Sequence, residues 1–155
     1  MNAAHHAPQE YLKNAVLTAT PEQLHLMLLD GAIRFALRGR EAIERKDIEG
    51  GFHALERAQR IVLQLSAGLR REVSPQLAGQ MASLYHFVYR RLIDANIQRD
   101  TQAVDEALRI LQHQRETWQM LIAKLARELP QVSRPSGETR SAADGQRRPG
   151  ISLEG

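Results

Sequence analysis

Thr20 to Lys46 reads TPEQLHLMLLDGAIRFALRGREAIERK. It opens with a helix start signal. Thr20 can cap, Pro21 suits the first helical position, and Gln23 stands where a capping box wants Glu or Gln. Wound at about 100° per residue, the segment carries two apolar stripes. Leu24, Leu28, Gly31, Phe35, Gly39 and Ala42 form the first. Leu26, Leu29, Ile33, Ala36, Leu37 and Ile43 form the second, beside it. A surface helix needs an apolar stripe of only about 100° or a little more. This helix has roughly twice that, so its surplus requires a second partner.

Working outward, Gly50-Gly51 marks a turn, and Phe52 to Leu69 reads as a second helix. Its stripe, Ala54, Leu55, Ala58, Ile61, Val62, Leu65 and Leu69, has ordinary width and serves as a control. Ser74-Pro75 starts a third helix running to about Gln98. Leu77, Met81, Leu84, Val88, Leu92 and Ala95 make its core stripe, with Tyr85, Tyr89, Ile93 and Asn96 beside them. Asp100-Thr101 opens a fourth, to about Leu129, along a near-heptad seam of Val104, Leu108, Leu111, Trp118, Ile122, Leu125 and Leu129. Arg115 interrupts that seam; it either snorkels past Trp118 or pairs with a carboxylate, Asp30 or Asp94.

Before the first helix, residues 1–9 read as disordered. Glu10 to Leu17 is an amphipathic segment too short to be helical alone, so it docks or stays loose. After Pro130 the chain turns rich in Pro, Gly, Ser and charge and reads as a disordered tail. The expectation is an all-α protein: an antiparallel four-helix bundle over 20–129, with an N-terminal segment over 1–19 and a tail over 130–155.

Composition narrows the function. The chain has no cysteine, which removes thiolate metal sites and cysteine catalysis. A net charge of +3, mixed with acids, does not point to nucleic acid. No apolar run reaches membrane-spanning length and no secretory signal is present, so a cytoplasmic location is expected. A di-iron bundle wants two Glu-x-x-His pairs, and only Glu22 and His25 fit. His86 is the best phosphotransfer candidate but lacks neighbouring Lys or Gly. Arg34, Arg38 and Arg45 line up on the first helix, but Glu41 interrupts them, which favours a solvated face. No cofactor or metal and no enzyme activity are expected.

In order, these residues resemble the FliS family of flagellar export chaperones. Tyr11 precedes Thr18-Ala19-Thr20-Pro21-Glu22-Gln23-Leu24, similar to the family's T-A-[ST]-P-x-x-L. Leu28-Leu29-Asp30-Gly31-Ala32 stands for L-Y-D-G-A, with Leu29 where the family usually has tyrosine. Ala58, Ile61, Leu65 and Leu84-Tyr85 continue the pattern. Arg91-Leu92 with Ala95-Asn96 matches R-L-x-x-A-N, and Asp100 and Arg115-Glu116-Thr117-Trp118 complete it.

The resemblance implies a chaperone, monomeric or weakly dimeric, that binds the disordered C-terminal region of flagellin. It also implies delivery of the complex to the cytoplasmic domain of the export gate, and an N-terminal segment able to cover the groove when empty. On this reading Tyr11, Leu12, Leu26, Leu29, Ile33, Leu37, Tyr85, Tyr89, Ile93 and Asn96 bind flagellin. Leu24, Leu28, Phe35, Leu84, Leu92, Arg115 and Trp118 hold the structure. The competing reading is a homo-oligomerising structural bundle whose stripes pair with themselves.

Overall fold

In the computed structural model the Thr20 hydroxyl accepts from the Gln23 amide at 3.1 Å, and the Gln23 side chain accepts from the Thr20 amide at 3.0 Å. This closed capping box starts the helix that the sequence is built around. The structure describes residues 3–70 and 74–128. They form α1 (Ala3–Thr18), α2 (Pro21–Glu44), α3 (Ile48–Ala67), α4 (Pro75–Gln98) and α5 (Thr101–Glu128). Asp47 caps α3 by accepting from the Gly50 amide, and Ser74 caps α4, with Pro75 at its first position. The α4–α5 turn uses Arg99 in the left-handed region (φ 56°), and Asp100 then accepts from the Gln102 amide. Among the described residues, those up to Ile122 belong to one compact unit, and α5 continues to Glu128. Leu129, the Pro130 stop and the 130–155 tail lie outside the described residues.

Contacts fix the order of the bundle. Gly39 faces Leu55, Gly31 faces Ile61 and Ala42 faces Gly51, so α2 and α3 run antiparallel. A Cβ at Gly39 would sit 2.5 Å from a Leu55 methyl, and glycine there lets the two helices meet. The Gln59 side chain donates to the Leu92 carbonyl, and Asn96 donates to that of Phe52, which sets α4 antiparallel to α3. Arg91 pairs with Glu106 across α4 and α5. Arg40 pairs with Asp105, and Arg115 with Asp30, across α5 and α2. The bundle is therefore a square in the cyclic order α2, α3, α4, α5. Leu29, Ala32 and Ala36 of α2 meet Leu55, Ala58, Val62 and Leu65 of α3, Tyr85, Val88, Leu92 and Ala95 of α4, and Ala103, Val104, Ala107, Leu108 and Leu111 of α5 in one core.

Several expectations need correction. Residues 3–9 belong to α1 and are helical, because the segment extends to 16 residues rather than eight. Its apolar side chains stand free of the core: Tyr11 is 78% exposed, and Leu12, Val16 and Leu17 are exposed as well. In α2 and α4 the core runs between the two stripes and takes from both. Small residues, Ala32, Ala36 and Ala95, mark where the helices approach closest, and large residues flank them. Leu29 and Tyr85, assigned to the binding surface, are buried completely. Leu24 and Leu84, assigned to the core, sit at the edge, more than a third exposed. Leu28, Phe35 and Trp118 are half-buried against the core, and Leu92 lies inside it.

Candidate functional site

Two edges of the square carry much of the surplus apolar surface, while Leu77, Leu84, Phe87 and Met120 are exposed elsewhere on α4 and α5. The first lies between α2 and α5. Leu26 and Ile33 are half-buried there and Leu37 is exposed, all on the side of α2 that carries Asp30 and Arg40. Those two side chains reach α5. Arg40 Nε donates to Asp105 Oδ1 at 2.6 Å and Arg40 Nη1 donates to Glu44; Arg115 donates to Asp30. The Asp30–Arg115 bond settles the choice left open by spacing, since Asp94 pairs instead with Arg91. The Arg40 hydrogen bond and charge hold the Asp105 carboxyl below the usual carboxylate range. The edge is thus an apolar ridge stitched to α5 by two ion pairs.

The second edge lies between α3 and α4. Tyr89, Ile93 and Asn96 are half-buried along it. Opposite them the structure adds residues that the sequence reading missed. Phe52, Gln59 and Leu63 share one face of α3, seven and four residues apart. Gln59 and the Phe52 carbonyl bond to α4, so this face looks toward α4, yet Phe52 and Leu63 are each about half exposed. Helix α3 therefore has its own surplus face and is not a single-face control. The missed signal was the 52–59–63 spacing beside the 55–58–62–65 seam. At the end of this edge a 430 Å³ pocket opens among Ile43, Ile48, Phe52, Ala95, Asn96 and Arg99.

The structure does not bring the expected site residues into one groove. Leu26, Ile33 and Leu37 stand on one edge, and Tyr89, Ile93 and Asn96 on the edge across the square. Tyr11 and Leu12 project from α1. Leu29 and Tyr85 stand inside the bundle.

Tyr85 has a different partner. Its hydroxyl meets His25 Nε2 at 2.7 Å, and the His25 ring packs on Trp118 with centroids 4.2 Å apart. This ties α2, α4 and α5 together at one end of the bundle. Burial lowers the His25 pKa to about 4 and pushes the Tyr85 phenol up. His25 is therefore a neutral packing group. Among the described residues, no three His, Asp or Glu side chains are placed to hold a metal ion. No helix among them is long and apolar enough to cross a membrane.

Comparison with known proteins bears on the family and the fold. Residues 3–125 match the family model described as flagellar protein FliS. The flagellar secretion chaperone FliS of Bacillus subtilis (strain 168) is 37% identical over 112 residues, 72% of this chain and 83% of that protein. The protein of the same name from Salmonella typhimurium (strain LT2) is 35% identical over 117 residues, 75% and 87% of the two chains. A crystal structure of a flagellar chaperone from bacteria shares the fold, with TM-score 0.64 at 18% identity over 78% of this chain and 98% of that one. The match spans four-fifths of the chain and all five helices up to the last turn of α5, and the chain belongs to the FliS family, whose members are flagellar secretion chaperones and not enzymes.

Proposed function

We propose that the chain binds the C-terminal region of flagellin in the cytoplasm, keeps it from polymerising, and presents it to the cytoplasmic domain of the export gate. The observation that carries this reading is the pair of apolar edges on opposite sides of the bundle. A compact ligand cannot touch both. A segment that is disordered alone can run from one edge to the other and fold as it does so. Such coupled folding buries on the order of 1,000–3,000 Å² and costs about 2–5 kcal/mol in ordering. Helix-in-groove docking suits the ridges at Leu26, Ile33 and Leu37 and at Phe52, Leu63, Tyr89 and Ile93. Residues 20–129 do the binding. The 130–155 tail is dispensable, and the N-terminal segment, exposed here, is free to fold over an edge when no client is bound. The competing reading remains a homo-oligomerising structural bundle whose stripes pair with themselves.

Titration of the full chain with the host flagellin's C-terminal segment tests this. A one-to-one complex that gains helix content by circular dichroism supports it. No enrichment of flagellin in a pull-down, with a stable homo-oligomer in light scattering, overturns it.

A further inference from the structure

The outer face of the α2–α3 pair lies away from both apolar edges and has a chemistry of its own. Phe35 is half-buried there. Three guanidinium groups converge on its ring, with their central carbons 4.8 Å (Arg57), 5.3 Å (Arg38) and 5.6 Å (Arg34) from the centroid. All are within cation–π range, about 6 Å. Around them a 420 Å³ pocket is lined by Phe35, Arg38, Glu41, Arg45, His53 and Arg57. Arg34 to Arg45 alone read as a solvated row. Folding brings Arg57 from the neighbouring helix onto the same ring and turns the row into a cluster.

Among the described residues, no ion pair neutralises the three guanidinium groups on the ring, although Glu41 lines the same pocket. Arg40, Arg60, Arg91 and Arg115 each pair with a carboxylate, and Arg45 lies 3.7 Å from Asp47. Among the described residues, Arg34, Arg38 and Arg57 have no carboxylate within 4 Å. Three like charges crowded over one apolar ring repel one another, and the ring face offsets only part of that. A ligand that brings carboxylates for the guanidinium forks and an apolar side chain for the ring relieves both deficits.

We propose that this face docks an acidic protein segment, a short helix with carboxylates flanking one apolar anchor, separately from the two client-binding edges. Nucleic acid and anionic membrane fit less well. Glu41 lies in the pocket, and Asp47 and Glu49 follow at the end of α2 and the start of α3, where a continuous polyanion would meet them.

The probe is a fluorescein-labelled synthetic helix of Glu and Leu, with Glu at i and i+4 flanking a single Leu, compared with the same peptide carrying Gln for every Glu. Anisotropy with the full chain should show binding of the Glu peptide alone, weakened by added salt. Arg38→Gln and Arg57→Gln should each weaken it about fivefold, and the pair by about twentyfivefold. Melting curves and affinity for the flagellin C-terminal segment should not change. No binding of the Glu peptide, or binding indifferent to both substitutions, overturns the proposal. So does equal binding of oligothymidylate or phosphatidylglycerol vesicles through the same arginines, which makes the face a general anion site. A parallel loss of flagellin affinity also overturns it, because the face then belongs to the client site.

Discussion

His25 shows what one buried polar residue does here. Its ring is buried, bonded to Tyr85 and stacked on Trp118, and no carboxylate offsets a charge on it within the described hydrogen bonds and ion pairs. Its folded pKa of about 4 lies below the ordinary value of 6.5, so the unfolded chain binds the proton more readily between those values. The stability due to neutral His25 is complete above about pH 6.5 and is lost as pH falls toward 4. The loss reaches about 3 kcal/mol at about 1.4 kcal/mol per unit. His25→Gln keeps a hydrogen-bonding side chain and removes the titration. Its urea stability should fall less steeply than wild type between pH 6.5 and 4, and parallel curves would place the pH dependence elsewhere. Trp118 is the sole tryptophan, so its fluorescence follows the same transition. Tyr85→Phe leaves the His25 nitrogen unpaired in the core and should cost about 1–3 kcal/mol at pH 7, read from the same curves.

The helices themselves were largely legible in the sequence, because their punctuation is local chemistry. Thr20-Pro21 with Gln23, and Ser74-Pro75, announce α2 and α4 from within a few residues. Which face of α2 and of α4 is core was not legible, whereas the expected stripes of α3 and α5 hold Leu55, Ala58, Val62, Leu65, Val104, Leu108 and Leu111, all buried. A helical wheel weights large residues, whereas closest approach selects small ones; Gly39 and Ala36 are uninformative until Leu55 and the other helices arrive. Gly39→Val tests that reading. The added side chain collides with the buried Leu55, and β-branching adds crowding, so the variant should lose about 2 kcal/mol or more in thermal or urea melts. Unchanged stability would mean that α2 and α3 slide apart freely. Helix α1 gives the opposite case. Tyr11 is almost wholly outside the packing, so Tyr11→Ala should change stability by less than about 0.5 kcal/mol. If α1 competes with flagellin for an edge, the same change should tighten flagellin binding in calorimetric titration; a melting shift without a binding change would make Tyr11 a packing residue.

At the scale of the whole bundle, the proposed function allows two arrangements: one client spans both apolar edges, or it occupies only one. Their separation could not be read from the sequence, because it depends on the cyclic order of the helices, which the ion pairs and cross-helix hydrogen bonds reveal. Leu37 on the α2–α5 edge is 42% exposed and Leu63 on the α3–α4 edge 50%, so each is a clean probe. Ile33 and Tyr89 pack partly on the core and would confuse binding with stability. Leu37→Asp and Leu63→Asp should each leave the melting transition within about 0.5 kcal/mol of wild type. In a complex each would set an unpaired carboxylate against an apolar contact, at a cost of at least a few kcal/mol. That is more than a hundredfold in affinity for the flagellin segment at about 1.4 kcal/mol per decade. Because the edges lie on opposite sides of the square, the two losses should add in the double variant to within about 0.5 kcal/mol if one client spans both. Leu92→Ala, which empties part of the core, is the control and should cost about 2–5 kcal/mol of stability. If Leu37→Asp abolishes binding while Leu63→Asp leaves it untouched, the client occupies one edge only, and the apolar face of α3 serves another partner.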